Sequence, residues 1–322
     1  MSEPRWRPSA SRRVLELRAR VNARIRAFMA RHGILEVETP ALLQGTTPAA
    51  SITPFRVADG HAPRWLQTSP ELPMKRLLAA GSGPIYQLCH AWRAGERGRR
   101  HNPEFTLLEW YRPGFGLAAL MDEVEALLAW VTEGLRPLPP FVRLRWGEAM
   151  ARHAGLDAPY TAGVEVLQSV LRQAGVEVDA AALGPDLDAW RDLVWVHCVE
   201  PALPEAAFVH DFPASQAALA CVRPGDPPVA ERFEAYLGGM ELANGFFELR
   251  DPEEQRRRFA EENRRRAAAG LAPLPEDSLF LEALESGLPA CSGVALGVDR
   301  LLMWLTGAET IDAVLAFPWE RA

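Results

Sequence analysis

YQLCHAWRAGERGRRHNPEFTLLEWYR, residues 86–112, decides the reading of this chain. The segments Tyr86-Gln87-Leu88-Cys89 and Phe105-Thr106-Leu107-Leu108 have the β-propensity and length of short strands, and Gly95, Gly98 and Asn102 supply turn chemistry between them. An antiparallel pair presenting a cationic loop is expected. Arg93, Glu96, Arg97, Arg99, Arg100, His101, Asn102, Glu104 and Glu109 are too numerous and too mixed in sign for one solvated face, so the hairpin reads as a site. Glu109 and Tyr111 lie two apart on one strand and face the same side. A carboxylate and a phenol converging in this way suit an ammonium ligand, although a cross-strand pair explains them equally simply.

Outward from the hairpin, residues 9–32 place Val14, Leu17, Val21, Ile25, Phe28 and Met29 at helical spacing among arginines, with Gly33 following as a cap. Residues 34–39 alternate Ile, Leu and Val with glutamates and stop at Pro40, which predicts a strand that ends there or lies at an edge. LAALMDEVEALLAWVTEGL, residues 117–135, is a second helix, and a Pro-rich stretch follows. Residues from about 136 to 205 alternate short helical patterns with Gly/Pro breaks and read as an inserted helical lobe. Strands return from Phe208, helices are expected over 253–269 and 278–286, and a glycine-led strand runs into a helix over 293–305. The pattern predicts an α+β fold, one domain over residues 1–322 built on a mostly antiparallel sheet flanked by helices.

A 322-residue chain with 48% hydrophobic residues can bury a substantial core. No apolar run approaches the roughly 18 residues of a spanning helix, and the start MSEPRWRPSA lacks an apolar signal region, so a cytoplasmic location with no membrane contact is expected. Cys89, Cys198, Cys221 and Cys291 match no metal-knuckle or disulfide spacing. A net charge of −7 disfavours a protein whose main task is to hold a long polyanion.

Two further clusters stand out. Glu234, Glu241 and Glu248 follow one another at intervals of seven, with Gly238-Gly239 between the first two; a hairpin turn there brings Glu234 and Glu241 close on neighbouring strands, an arrangement that holds Mg²⁺ beside phosphates. The simpler alternative is a row of exposed strand carboxylates. Gly293 and Gly297 remove side chains from a strand and allow backbone to approach a ligand, with Arg300 facing the pocket; alternatively Asp299 merely caps the following helix. Thr68-Ser69-Pro70-Glu71 puts a carboxylate at a helix start, where dipole complementation is the plain explanation. Arg256 to Arg258 and Arg264 to Arg266 alternate with glutamates and read as a solvated helix face laced by i,i+4 pairs.

The strings TSPE, HNPEFTLLEWY, ELANGFFEL and GVALGVDRL together resemble class II aminoacyl-tRNA synthetases, specifically the lysyl-type catalytic core, over nearly the whole chain. Helix, strand and Pro40 resemble motif 1, the dimer-forming element; Trp92 to Glu109 resembles motif 2; Gly293 to Arg300 resembles motif 3. The resemblance implies a homodimer that uses ATP and Mg²⁺. It assigns Arg93 and Arg300 to catalysis, with Arg93 on the α-phosphate and the substrate carboxylate. Phe105 and Arg300 would sandwich adenine, Arg100 and His101 would sit near the outer phosphates, and Glu96, Asn102, Glu241, Leu242 and Gly297 would complete the ATP contacts. Glu234 and Glu241 would hold the metal. Ser69, Glu71, Glu109, Tyr111, Asn244, Glu248 and Ala295 would bind the amino acid, Glu71 and Glu109 at the near amine and Glu248 with Tyr111 at the distal ammonium.

No N-terminal anticodon-reading domain is expected, because the core pattern begins within the first dozen residues. That, with Trp6 to Ala10, FPASQA at 212–217 and CSGVALGVDR at 291–300, resembles the lysyl-synthetase paralogues that ligate (R)-β-lysine onto a lysine of elongation factor P. The partners implied are that factor and β-lysine or lysine rather than tRNA. A minimal tRNA-charging enzyme and a non-catalytic paralogue are the alternatives; the latter is disfavoured by the presence of Arg93, Glu241 and Arg300. Two departures from the lysyl-synthetase pattern bear on chemistry: Ala295 stands where glycine is usual, and Gly95 replaces the usual motif 2 glutamate, with Glu96 one place later.

Overall fold

A computed structural model describes residues 4, 6–58, 60 and 62–322, so residues 1–3 and 5 of the opening string lie outside it. The chain divides into two compact units, one comprising Met1–Leu138 with Glu248–Ala322 and the other Pro139–Phe247.

The first unit opens with α1 (Arg12–Arg31), β1 (Leu35–Glu36), β2 (Leu42–Leu43), β3 (Arg56–Val57), β4 (Arg64–Leu66), α2 (Glu71–Ala79), β5 (Ile85–Trp92), β6 (Glu104–Pro113) and α3 (Leu117–Thr132). Ser11 caps α1, its Oγ accepting from Val14 N at 3.4 Å, and Val21, Ile25, Phe28 and Met29 form its buried stripe. Gly33 closes the helix at φ +66°, where a side chain would be strained. The strand expected over 34–39 is only the pair Leu35–Glu36, parallel to β5 and followed by Pro40, which cannot donate to a ladder. β5 and β6 pair antiparallel from Ile85↔Tyr111 to Trp92↔Glu104. β2, β4 and β3 form a separate small sheet.

The second unit contains β7 (Val142–Arg145), α4 (Trp146–Ala154), α5 (Val164–Gln173), α6 (Ala180–Leu183), α7 (Leu187–Val194), β8 (Ala206–Pro213), β9 (Val222–Arg223), β10 (Val229–Leu237) and β11 (Glu241–Phe247). The stretch read as an inserted helical lobe also holds a strand, Val-Arg-Leu-Arg, paired parallel with β8. Its alternation is too short for periodicity to separate from a loop. Trp146, Trp190, Trp195, Leu167 and Phe212 centre the core of this unit, and Trp195 Nε1 donates to the Tyr236 hydroxyl at 2.8 Å.

The chain then returns to the first unit as α8 (Pro252–Ala268), α9 (Ser278–Gly287), β12 (Cys291–Gly297) and α10 (Val298–Thr306). Most α8 arginines pair with glutamates three or four positions away. Arg266 departs from the expected solvated face: it is buried and donates to the carbonyls of Ala49, Ile52 and Ala272. β12 lies antiparallel on β6 from Cys291↔Pro113 to Gly297↔Leu107. Because side chains alternate along β6, Phe105, Glu109 and Tyr111 share one face. Trp110 takes the other, donating through Nε1 to Glu123 of α3 at 3.0 Å.

Candidate active site

The basic hairpin ends β5 and begins β6. Arg93 N donates to Pro103 O, which fixes the arginine at the strand end. Its guanidinium lies 5.1 Å from the centroid of the Phe105 ring, its Nε donates to Thr68 O at 3.4 Å, and the Glu96 carboxylate is 3.7 Å away. Gly95 has φ +81°, so a glutamate there would be strained; the acidic residue stands one place later, in reach of Arg93. Arg100 and His101 are exposed, and His101 Nε2 is 2.8 Å from Arg300 Nη2. Asn102 is instead buried, its Nδ2 donating to Glu104 O at 2.6 Å and its Oδ1 accepting from Trp319 N at 3.0 Å. Its amide serves the backbone at the start of β6 and in the C-terminal segment.

Gly297 precedes α10 and Arg300 occupies the helix's first turn. Asp299 does not cap that helix, contrary to the simpler expectation. It is 2% exposed and bridges two elements, accepting from Arg18 Nη2 of α1 at 2.5 Å and from Thr106 N of β6 at 2.7 Å. A buried ion pair with a backbone bond in addition locks motif 3 to the hairpin.

Further along, β6 presents Glu109, 2% exposed, whose carboxylate accepts from the Tyr111 hydroxyl at 2.7 Å and from the Ser69 hydroxyl at 2.7 Å. Ser69 Oγ also accepts from Glu71 N at 3.0 Å, joining the start of α2 to β6. Glu248, 1% exposed, is 2.5 Å from Lys75 Nζ, which is 2.6 Å from Glu71. Register sets Ala295 opposite Glu109 and Gly293 opposite Tyr111. A Cβ on Gly293 would run into the Tyr111 ring and would stand 2.6 Å from Glu248 Oε1. The missing side chain at Gly293 lets β12 pack directly against Tyr111 and Glu248.

Burial, aided by repulsion from Glu71 and opposed by the Tyr111 and Ser69 hydrogen bonds and by Lys75, raises Glu109 to about 7. Burial likewise raises Glu248, to about 8, with Lys75 opposing and Glu71 and Glu109 assisting. Lys75 moves up: burial alone would lower it, but Glu248 and Glu71 outweigh that. The Tyr111 hydroxyl rises through burial and the neighbouring carboxylates and stays a donor. Raised carboxylates of this kind are those whose ionised forms lack enough compensating positive charge.

Lys75 was not expected here. The available signal was a lysine between Met74 and Leu78 on the buried side of a helix, four residues after Glu71. A cleft of about 920 Å³ beside α1 and α3, lined by Arg31, His32 and Trp130, contains none of these carboxylates.

Within the second unit, Gly238 and Gly239, both at positive φ, turn β10 into β11 and pair Tyr236 with Glu241 and Glu234 with Asn244. Glu234 is buried; it pairs with Arg232 and accepts from the Tyr236 hydroxyl at 2.5 Å, while Arg232 Nε donates to Asn244 Oδ1 at 3.2 Å. Burial raises Glu234 to about 7; Arg232 opposes this and Glu241 adds to it, so the two glutamates feel one another. Leu242 is buried in β11. Among the described residues no group of three or more His, Cys, Asp or Glu is placed to hold a metal. Both Glu234 oxygens are engaged, Oε1 by Arg232 and Oε2 by the Tyr236 hydroxyl; one or two carboxylates beside substrate phosphates are the usual way Mg²⁺ is held, and Glu234 with Glu241 are the residues that would do so here.

The family described as tRNA synthetases class II (D, K and N) matches residues 5–321. A protein of Erwinia tasmaniensis named elongation factor P--(R)-beta-lysine ligase is 49% identical over 324 residues, covering 98% of each chain. Proteins of the same name from Salmonella paratyphi B and Salmonella heidelberg are 46% identical over 328 residues, again covering 98% of each. The chain therefore belongs to the class II tRNA synthetase family of the D, K and N type and is an ATP-dependent ligase.

Proposed function

We propose that the chain activates (R)-β-lysine or lysine with ATP as an aminoacyl adenylate and transfers the aminoacyl group to a lysine side chain of translation elongation factor P. The observation that carries this reading is the burial of Glu109, Tyr111 and Glu248 beside Glu71, a set of groups that suits ammonium ligands. The names of relatives 46–49% identical over 98% of their chains support the acceptor.

In the first step a carboxylate oxygen of the amino acid attacks the α-phosphorus of ATP, the bond to the β-phosphate oxygen breaks, and pyrophosphate leaves. Arg93 holds the α-phosphate and the attacking carboxylate, and Arg300 with Phe105 brackets the adenine. Fixed cations aimed at charge that grows on phosphorus lower such a barrier by preorganisation. Glu109, Tyr111, Glu71 and Glu248 hold the amines, which fixes the carboxylate for in-line approach. Glu234 and Glu241 would hold Mg²⁺, which would neutralise phosphate charge. In the second step the acceptor amine attacks the adenylate carbonyl, AMP leaves with the bonding pair, and the amine's proton passes to solvent or to the leaving phosphate. The protein works in the cytoplasm as a homodimer formed through α1, β1 and the Pro40 segment.

Amino-acid-dependent ATP–pyrophosphate exchange tests the first step. Exchange with (R)-β-lysine or lysine, and none with leucine, is expected; no exchange with either diamino acid would refute the reading.

A further inference from the structure

Lys75 is the residue of the amine pocket that the mechanism above leaves unused. It is 1% exposed, yet it is held between the carboxylates of Glu71, on its own helix, and Glu248, which follows β11. The Phe280 ring of α9 lies 5.9 Å from its Nζ. From β6 come Glu109 and Tyr111, and Cys89 of β5 stands close enough to Glu109 for the carboxylate to help burial raise its thiol to about 12. Glu109 itself is met by two neutral hydroxyls, those of Ser69 and Tyr111.

The charge balance follows. Glu71, Glu109 and Glu248 against Lys75 leave a formal surplus of two negative charges, buried where uncompensated charge is costly. A diamino acid brings two ammonium groups. An ordinary amino acid brings one and strands a carboxylate; without Lys75, even a diamino acid would strand one.

We propose that Lys75 is a specificity-determining residue, an internal counter-cation that sets the pocket's surplus to the two positive charges of a diamino acid. This deepens, and rests on, the reading of the chain as a lysine- or β-lysine-activating enzyme. Lys75 touches the carboxylates and acts on the substrate through them, so it is a positioning residue whose signature is in pH and KM.

The test is ATP–pyrophosphate exchange by the full-length protein over pH 6–9, with lysine and (R)-β-lysine, in wild type, Lys75→Met and Lys75→Arg. In wild type the acid limb of kcat/KM for the amino acid is expected between about 7 and 8, where Glu109 and Glu248 lose their protons. In Lys75→Met the limb is expected to move up by about one pH unit or more and KM for the amino acid at pH 7 to rise about tenfold, while KM for ATP stays within about twofold. Lys75→Arg, which keeps the charge, is expected to hold the wild-type limb. If Lys75→Met does not fold, Lys75→Gln, which keeps N–H donors without charge, is read in the same way. An active wild type whose acid limb is unmoved in the neutral variant overturns this inference alone. So does a Lys75→Arg limb displaced as far as that of Lys75→Met, which would reduce Lys75 to packing. A wild type that activates neither isomer overturns the functional reading, and this inference with it.

Discussion

Replacing Gly293 with alanine adds one methyl group against Tyr111 and Glu248. Its Cβ would meet the Tyr111 ring and would lie 2.6 Å from Glu248 Oε1. Neither neighbour has room to retreat: Tyr111 is buried with its hydroxyl held by Glu109, and Glu248 is buried against Lys75. The strand cannot yield easily either, because β12 is paired with β6 along its whole length, from Cys291 to Gly297. Overpacking of this kind costs about 1–3 kcal/mol, and the rigid surroundings put it in the upper part, about 2–3 kcal/mol. Much of that cost displaces the two groups proposed to grip the distal ammonium. The expected loss in kcat/KM for lysine is roughly 30- to 150-fold. KM for ATP should change little, since Arg93 and Phe105 lie elsewhere on the hairpin. Pyrophosphate exchange with each substrate varied in turn, alongside a thermal melt, measures both. A variant with wild-type kcat/KM for lysine and an unchanged melting temperature would refute the packing argument.

Ala295→Gly removes the methyl opposite Glu109 and should relax discrimination in favour of α-lysine over (R)-β-lysine by roughly tenfold; equal relative rates for the two isomers in variant and wild type would rule that out. Glu109 and Glu248 are raised above ordinary carboxylates, to about 7 and about 8. Between the unfolded value near 4.5 and these folded values the native state binds more protons, so their ionisation costs stability as pH rises through that window. Lysine, by supplying the missing cations, should therefore raise the melting temperature more at pH 8 than at pH 6; an equal or reversed shift would count against a proton-sharing pocket. Asp299→Ala takes from Arg18 its carboxylate, leaving it hydrogen bonds to Val314 O and Thr106 Oγ1, and strands the Thr106 N–H; it should cost about 3 kcal/mol in chemical denaturation, whereas a loss below about 1 kcal/mol would show that the bridge matters little.

Local chemistry made the hairpin legible in advance. Strand propensity, turn glycines and the two-residue spacing of Glu109 and Tyr111 depend only on neighbours in sequence, and the paired strands and the Tyr111–Glu109 hydrogen bond follow from them. The Gly238-Gly239 turn was legible for the same reason. What escaped depends on partners far along the chain. Asp299 resembles a helix cap until Arg18, 281 residues away, is brought beside it. Asn102 resembles a ligand-facing turn residue until Trp319 takes its side chain. Arg266 follows the charge pattern of α8, yet its guanidinium serves carbonyls of the loop near Ala49. Lys75 has an evident local partner in Glu71, four residues before it, but its second carboxylate, Glu248, comes from 173 residues further on.

Transfer of an activated diamino acid to a protein amine is read from the intact mass of elongation factor P. Incubation of the factor with this protein, ATP, Mg²⁺ and (R)-β-lysine should add one β-lysyl unit to a single lysine side chain, in an ATP-dependent manner that Arg93→Ala abolishes. An unmodified factor under conditions in which the same preparation charges tRNA would contradict it.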